Sequence, residues 1–454
     1  MVLVLIALPL LAGSLLLLLP QNDRRWSRST GCIVAAITFV LPLAAGGSGS
    51  FSAHWLSRPF AASFDFAWNG VSLWLVLLLA LCTFCAILAT NMVQARTMIA
   101  LLLLLEASMM GLFTARDVLL FALFWDVMLL PPFFALLWWG PERKTAWRFI
   151  IYNFSGGLLL LLATAAFGVL SGSTDVIGST HQFAGAWAPW IFAGFAIAFA
   201  VKTPLWPLHT WMPATYADLP PPMVSVISAV QSKAGLYGFI VIALPFLRIA
   251  MIQWSALFVA LALVSLLYGA LIALTQSDIK RIVAYSSLSH LGLIVLAIFC
   301  FNAIAVQGAI AYIVAHGLFS ASLFLILGYV EEREETRSIA HLGGLGKSNP
   351  KLAGAFTIAA LAALGLPGLA GFVGEIVILT GVFRAGYFWP ALIALVPIVL
   401  ASAYMLRLLQ DTINGPEVAA LPKRRDLTVL EGLAVAPLLV ALFVLGVYPA
   451  MIWR

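Results

Sequence analysis

Eight ionisable side chains lie inside long apolar runs of this sequence: Glu106, Asp126, Lys202, Lys233, His290, His316, Glu375 and Arg407. A charge at the centre of a membrane-spanning helix costs roughly 2.5 to 3.5 kcal/mol on insertion scales. Acids and bases kept there must pair with one another, contact water or exchange protons. Asp126 follows Phe124-Trp125, and Lys202 stands beside Thr203-Pro204. A carboxylate whose ionisation follows a neighbouring ammonium is a proton-coupled switch. Lys233 is flanked by Ser232, Ala234 and Gly235, small residues that leave room for a hydrated ammonium. His290 and His316 titrate nearest neutral pH and pass protons through either ring nitrogen. Glu375, next to Gly374, is the candidate exit group. Glu106, His209 and Arg407 are candidates for coupling to this relay. The competing readings are a static Asp126–Lys202 pair that locks two helices, and plain helix-to-helix hydrogen bonding by the histidines.

The elements that position these groups follow from composition. Of the 454 residues 63% are hydrophobic and 9% charged, against roughly a quarter charged in an ordinary soluble domain. A spanning helix needs roughly 20 apolar residues. Such runs fall near 1–20, 31–50, 69–90, 96–114, 117–139, 147–171, 189–208, 221–243, 254–275, 281–301, 304–327, 352–380, 387–409 and 428–453. The expected fold class is therefore an all-α integral membrane protein of about fourteen transmembrane helices. The first run lacks a basic leader and a small-residue cleavage site and reads as a helix. Of the 24 Lys and Arg, three are in the apolar runs; sixteen of the others fall in the loops of one side and five in those of the other. The positive-inside rule then puts both termini outside, in keeping with a bacterial inner membrane. The net charge of +6 is thus a matter of topology, and no nucleic-acid face is visible.

Two spans are interrupted. Val201-Lys202-Thr203-Pro204, with Pro207 and Pro213, and Gly365-Leu366-Pro367-Gly368 each break a helix near mid-membrane, at Pro204 and Pro367. Broken helices in corresponding positions of two halves point to inverted repeats with a pathway at their interface. The expected parse is 1–95 for three N-terminal helices, 96–245 and 246–410 for two inverted five-helix repeats, and 411–454 for a loop and a last helix. Cys32, Cys82, Cys85 and Cys300 are all in apolar runs, and the Cys82/Cys85 spacing reads as packing, not as a metal site. No cysteine cluster, nucleotide-binding glycine loop or haem-type histidine pair is present, so neither electron transfer nor ATP hydrolysis is indicated.

The stretches FWDVMLLPPFFALLWWG, VKTPLWPLHTWMPATYADLPPP, QSKAGLYGF, DIKRIVAYSSLSHLGLI, VAHGLFSASLFLILG and GLPGLAGFVGE together resemble the antiporter-like family shared by respiratory complex I, membrane-bound hydrogenases and Mrp-type cation/proton antiporters. The resemblance runs from about residue 100 to 410. It implies that Asp126 and Lys202 form a coupled pair, that Lys233 is central, that His290 and His316 continue a hydrated axis, and that Glu375 faces the exit. Glutamate at this last position, and a chain without a long lateral helix, resemble the subunit M (chain 4) type, whereas L and N types usually carry lysine there. Asp126 departs from the glutamate usual in the family, so its pairing with Lys202 needs a closer approach or a bridging water. The resemblance further implies a translocase subunit with no redox centre of its own. NAD, FMN, iron–sulfur clusters and quinone are expected in partner subunits, with L and N types and lipid as neighbours. An Mrp-type antiporter subunit, a proton channel of a hydrogenase or inorganic-carbon uptake complex, and a scaffold without transport remain the alternatives.

Overall fold

In a computed structural model, which describes residues 1–18, 23–68, 70–175, 182–415 and 425–453, the chain is overwhelmingly helical. It begins with α1 (Val2–Leu18) and α2 (Arg24–Ala44), then a hairpin of β1 (Gly49–Leu56) and β2 (Ala62–Trp68). Next come α3 (Gly70–Ala89), α4 (Ala95–Thr114), α5 (Val118–Val127), α6 (Leu130–Trp139), α7 (Arg143–Ser171) and α8 (Ala188–Lys202). After a non-helical stretch follow α9 (Met212–Asp218), α10 (Pro221–Ala229), a tight turn at Gln231–Lys233, α11 (Ala234–Gly238), α12 (Leu244–Phe246) and α13 (Arg248–Gln253). The remainder is α14 (Ser255–Thr275), α15 (Ile279–Phe299), α16 (Ala303–Glu334), α17 (Leu345–Ser348), α18 (Pro350–Ala363), α19 (Ala370–Arg384), α20 (Phe388–Leu409), α21 (Val429–Val447) and α22 (Ala450–Trp453).

Among the described residues eleven helical segments are long and apolar enough to cross a membrane, counting Val118–Trp139, Pro221–Phe246 and Phe388–Asn414 as one each. Val2–Leu18, Ala188–Lys202 and Pro350–Ala363 are apolar but shorter. The chain divides into two compact units. One comprises Met1–Pro204 and Val230–Leu257, the other Leu205–Ala229 and Phe258–Arg454.

In the first unit α4 is buried on nearly every side, Glu106 included. The long α7 is different: Trp147, Ile151, Phe154, Leu158 and Leu162 form an exposed apolar stripe at helical spacing, a face suited to lipid or to another transmembrane helix. In the second unit α15 and α16 are buried almost throughout. Glycines let α16 and α19 approach: a Cβ at Gly308 would sit 2.7 Å from the Ile378 backbone nitrogen, and one at Gly374 2.6 Å from Tyr312. Ion pairs tie the polar ends, Lys280 to Glu331 on α15 and α16 and Arg333 to Glu431 at 2.7 Å on α16 and α21.

The structure corrects the sequence reading in two places along the N-terminal stretch. The second helix, expected at 31–50, runs Arg24–Ala44, because Asp23 caps it by accepting from the Arg25 and Trp26 amides before the apolar run begins. Gly46 and Gly47, both with positive φ, end it. Residues expected to be helix or loop then form the hairpin, in register Gly49 to Trp68 and Phe51 to Phe66. Gly49 is required there, since a side chain would strike the Trp68 indole.

Both expected breaks are present, α8 ending at Lys202 and α18 at Ala363, with Gly365 and Gly368 at positive φ before α19. Two more were not foreseen. Pro131 and Pro132 separate α5 from α6 because they cannot donate to the carbonyls of Val127 and Met128. The Gln231–Lys233 turn interrupts the segment Pro221–Phe246.

Candidate functional site

The first unit assembles Asp126, Lys202 and Lys233 around helix ends. Asp126 stands one residue from the end of α5, half-buried against Gly157 of α7, where any side chain would collide with its carboxylate. Lys202 is the last residue of α8 and is buried, a terminus at which unpaired carbonyls favour a cation. Its Nζ lies 5.3 Å from the centroid of the Trp125 ring and donates no hydrogen bond to the protein. The expected direct contact with Asp126 is absent among the described residues. The aspartate side chain is short, and the ammonium is turned onto the indole, whose face attracts a cation.

Lys233 is fully buried in the turn between α10 and α11, with Nζ 3.2 Å from Ser232 Oγ. Gly235 brings this turn onto the end of α8, since a Cβ there would overlap Thr203 Oγ1 and the Phe199 carbonyl. Gln231 donates from Nε2 to the Met128 carbonyl at 2.9 Å. Glu106, a candidate for coupling to the relay, accepts from Thr38 Oγ1 at 2.6 Å, hydroxyl to carboxyl across α2 and α4.

The second unit holds an unbroken file of hydrogen bonds. Tyr404 on α20 donates to Ser286 Oγ at 3.0 Å, and Ser286 lies 3.0 Å from His290 Nε2, one turn along α15. His290 Nδ1 is 2.6 Å from the Tyr312 hydroxyl on α16, and Tyr312 donates to Glu375 Oε1 on α19 at 2.5 Å. The other carboxylate oxygen of Glu375 faces the break, where a Cβ at Gly365 would overlap it. His316, one turn after Tyr312, has its ring 5.6 Å from that of His290, and Phe319 packs on both.

Donor counting orients the file. Tyr312 has one proton and gives it to Glu375, so His290 must donate to it from Nδ1 and accept at Nε2 from Ser286, which in turn accepts from Tyr404. Every proton points toward Glu375. If Glu375 is protonated, the same five groups can carry the opposite polarity.

Two further expected residues lie elsewhere. His209, in the non-helical stretch before α9, packs edge-on against Tyr268 at 5.1 Å. Arg407, expected among the buried charges, is exposed: it pairs with Asp411 at 3.5 Å and donates to the Leu274 carbonyl at 2.7 Å. One turn from the end of α20, a long side chain reaches the polar surface. Among the described residues no cluster of His, Cys, Asp and Glu is arranged to hold a metal, and all four cysteines are free thiols.

Sequence reasoning missed Trp125, Gln231, Ser286, Tyr312 and Tyr404. Spacing alone marks three of them, since Tyr312 precedes His316 by one helical turn, Ser286 precedes His290 by one turn, and Gln231 opens the turn that ends at Lys233.

Residues 115–401 match the family described as NADH:quinone oxidoreductase/Mrp antiporter, TM. The chain belongs to this family. It is 34% identical to the NADH-quinone oxidoreductase subunit M of Rhodobacter capsulatus, over 98% of this chain and 92% of that one. Its fold is similar to that of a chain of respiratory complex I from Thermus thermophilus, with a TM-score of 0.91 at 32% identity over 100% of this chain and 97% of that one. A chain of the Mrp complex from a Dietzia species shares the fold at 20% identity, with a TM-score of 0.88 over 99% and 94% of the two chains. For a member of this NADH:quinone oxidoreductase/Mrp antiporter family, the hydrogen-bonded file in the second unit is the feature to explain.

Proposed function

We propose that this chain is a proton-translocating membrane-arm subunit, of the subunit M type, in an NADH:quinone oxidoreductase. The single observation that carries the reading is the file Tyr404, Ser286, His290, Tyr312, Glu375, continuous by hydrogen bonds and buried among apolar helices. Sequence likeness to a subunit M along nearly the whole chain supports the choice of complex over an Mrp-type antiporter.

In this reading Asp126, Lys202, Lys233, His290, His316 and Glu375 form the relay. Asp126 sets how readily Lys202 holds a proton, Lys202 and Lys233 store protons, and the file delivers them to Glu375. A proton leaving Glu375 is replaced from the Tyr312 hydroxyl, which draws from His290 Nδ1 while His290 takes a proton at Nε2. One charge crosses and no group keeps it. The hydroxyls must then rotate and the imidazole must change tautomer before the next transfer, and these steps are where a driving force can act. Polarity in the file is reversible, so direction must come from a driving force outside it.

The chain itself moves protons and no electrons. NAD, FMN, iron–sulfur clusters and quinone belong to partner subunits, and L- and N-type antiporter-like subunits and lipid are its neighbours. It resides in a bacterial inner membrane with both termini outside, and residues 96–245 and 246–410 are its two repeats, each with a broken helix. The test is Lys233→Ala in the intact complex, reconstituted in sealed vesicles, with proton uptake measured beside donor oxidation. A joint fall with the complex assembled supports pumping through this chain. Unchanged uptake overturns it in favour of a scaffold.

A further inference from the structure

The Met128 carbonyl needs a donor because residue 132, which would supply it in a continuous helix, is proline. The donor comes from outside the helix. Gln231 Nε2 provides it at 2.9 Å. A carbonyl can only accept, so this bond fixes which way the carboxamide faces. The other end of the amide, Oε1, is buried and accepts from no group among the described residues. An orphaned acceptor of this kind is costly in a low-dielectric interior, and it stands in the turn that carries Lys233.

From these contacts we infer that Gln231 is a positioning residue that couples the Asp126 helix break to the lysines. This inference rests on the pumping reading above. The break has two hydrogen-bonded parts: Leu129 N bonds the Asp126 carbonyl, and Gln231 bonds Met128, two residues after Asp126. On its other side the Gln231–Lys233 turn continues into Gly235, which rests directly on the end of α8 next to Lys202. One amide therefore spans the elements carrying all three charges. A protonated ammonium is the strongest donor for its free Oε1. A donor at Oε1 polarises the same carboxamide and strengthens the Nε2 bond to Met128, so the occupancy of Oε1 is felt at the end of α5, where Asp126 stands. The link works in both directions, as a coupling free energy must.

The test uses the intact complex in sealed vesicles, with proton uptake per donor oxidised as the readout. Gln231→Leu keeps the volume and removes the amide, and it lowers uptake about tenfold. Added to Asp126→Asn it lowers uptake no further, because groups acting through one link are not additive. Gln231→Glu keeps an acceptor but sets it against the Met128 carbonyl, and it shifts the pH profile of uptake, which a residue that only plugs a helix break would leave in place. Wild-type uptake in Gln231→Leu, or a strictly additive double variant, overturns the coupling while Lys233→Ala still abolishes uptake. If Lys233→Ala is also silent, it is the pumping reading that fails. Should Gln231→Leu not assemble, the smaller Gln231→Asn, too short to reach Met128, is held to the same two outcomes.

Discussion

Tyr312 donates a 2.5 Å hydrogen bond to Glu375 while its oxygen stands 2.6 Å from Nδ1 of His290. One hydroxyl is thus the only covalent group between an imidazole and a carboxyl. Gly374 makes this possible: with no side chain it lets α19 close onto the Tyr312 backbone and ring. The neighbouring carboxyl is delivered to the hydroxyl as a result.

Tyr312→Phe removes that hydroxyl and almost no volume, so packing between α16 and α19 is retained. Proton uptake per donor oxidised is expected to fall at least about tenfold, equivalent to roughly 1.4 kcal/mol on the transfer barrier. Uptake in vesicles containing the assembled complex checks this. An unchanged ratio means that protons do not pass through Tyr312.

Glu375→Gln separates hydrogen bonding from proton release. The amide oxygen can still accept from Tyr312, so assembly and the position of the tyrosine persist, yet no proton can be bound and given up. Uptake is expected to vanish in Glu375→Gln. Glu375→Asp keeps the acid but falls short of Tyr312 by one methylene, so it retains a fraction of the rate. Higher uptake in Glu375→Gln than in Glu375→Asp would show that only the hydrogen bond matters.

The sequence makes the charged half of this arrangement visible, because a charge in an apolar run stands out. Lys202 at Pro204 and Glu375 after Pro367 lie beside breaks that proline and glycine announce. The hydroxyl half is hidden. Tyr312 and Tyr404 count as hydrophobic in any tally; spacing before His316 marks Tyr312, but it takes the three-dimensional neighbourhood of His290 to show both oxygens in use. Arg407 misled for the converse reason: it lies in an apolar run, but its long side chain reaches Asp411 at the surface. The hairpin escaped notice because Phe64, Phe66 and Trp68 alternate in the stretch left between the apolar runs 31–50 and 69–90, which reads as a loop when only spans are sought.

Outside the spans, Asp426 closes the start of α18 by accepting from the Lys351 and Leu352 amides at 2.9 and 3.1 Å. Burial alone would raise its carboxyl, but these donors and the Leu427 amide hold it below the usual carboxylate range. A depressed carboxyl binds fewer protons in the folded than in the unfolded chain. Its stabilisation is therefore complete above the unfolded value of about 4 and is lost as pH falls through the folded value. Thermal unfolding of the detergent-purified complex should show a Tm that drops over that acid range. Asp426→Asn should have a lower Tm at neutral pH and a smaller acid-dependent drop. Identical acid dependence in the variant would assign the effect to other carboxylates.

Adjacent glycines on α7 offer a test with its own control. A methyl at Gly157 would run into the Asp126 carboxylate, whereas one at Gly156 would meet Val201 at an ordinary 3.4 Å. The carboxylate is the end of a short, half-buried side chain and not backbone, so it can swing away and Gly157→Ala should assemble normally. The cost falls on function: once displaced, Asp126 no longer acts on Lys202, and proton uptake should drop several-fold, by roughly 1 kcal/mol of lost coupling. Gly156→Ala should leave uptake unchanged. Because the substitution works only through Asp126, adding Gly157→Ala to Asp126→Asn should change nothing more. A fall in Gly156→Ala equal to that in Gly157→Ala would instead mean that α7 packing, and not the position of the Asp126 carboxylate, limits the pump.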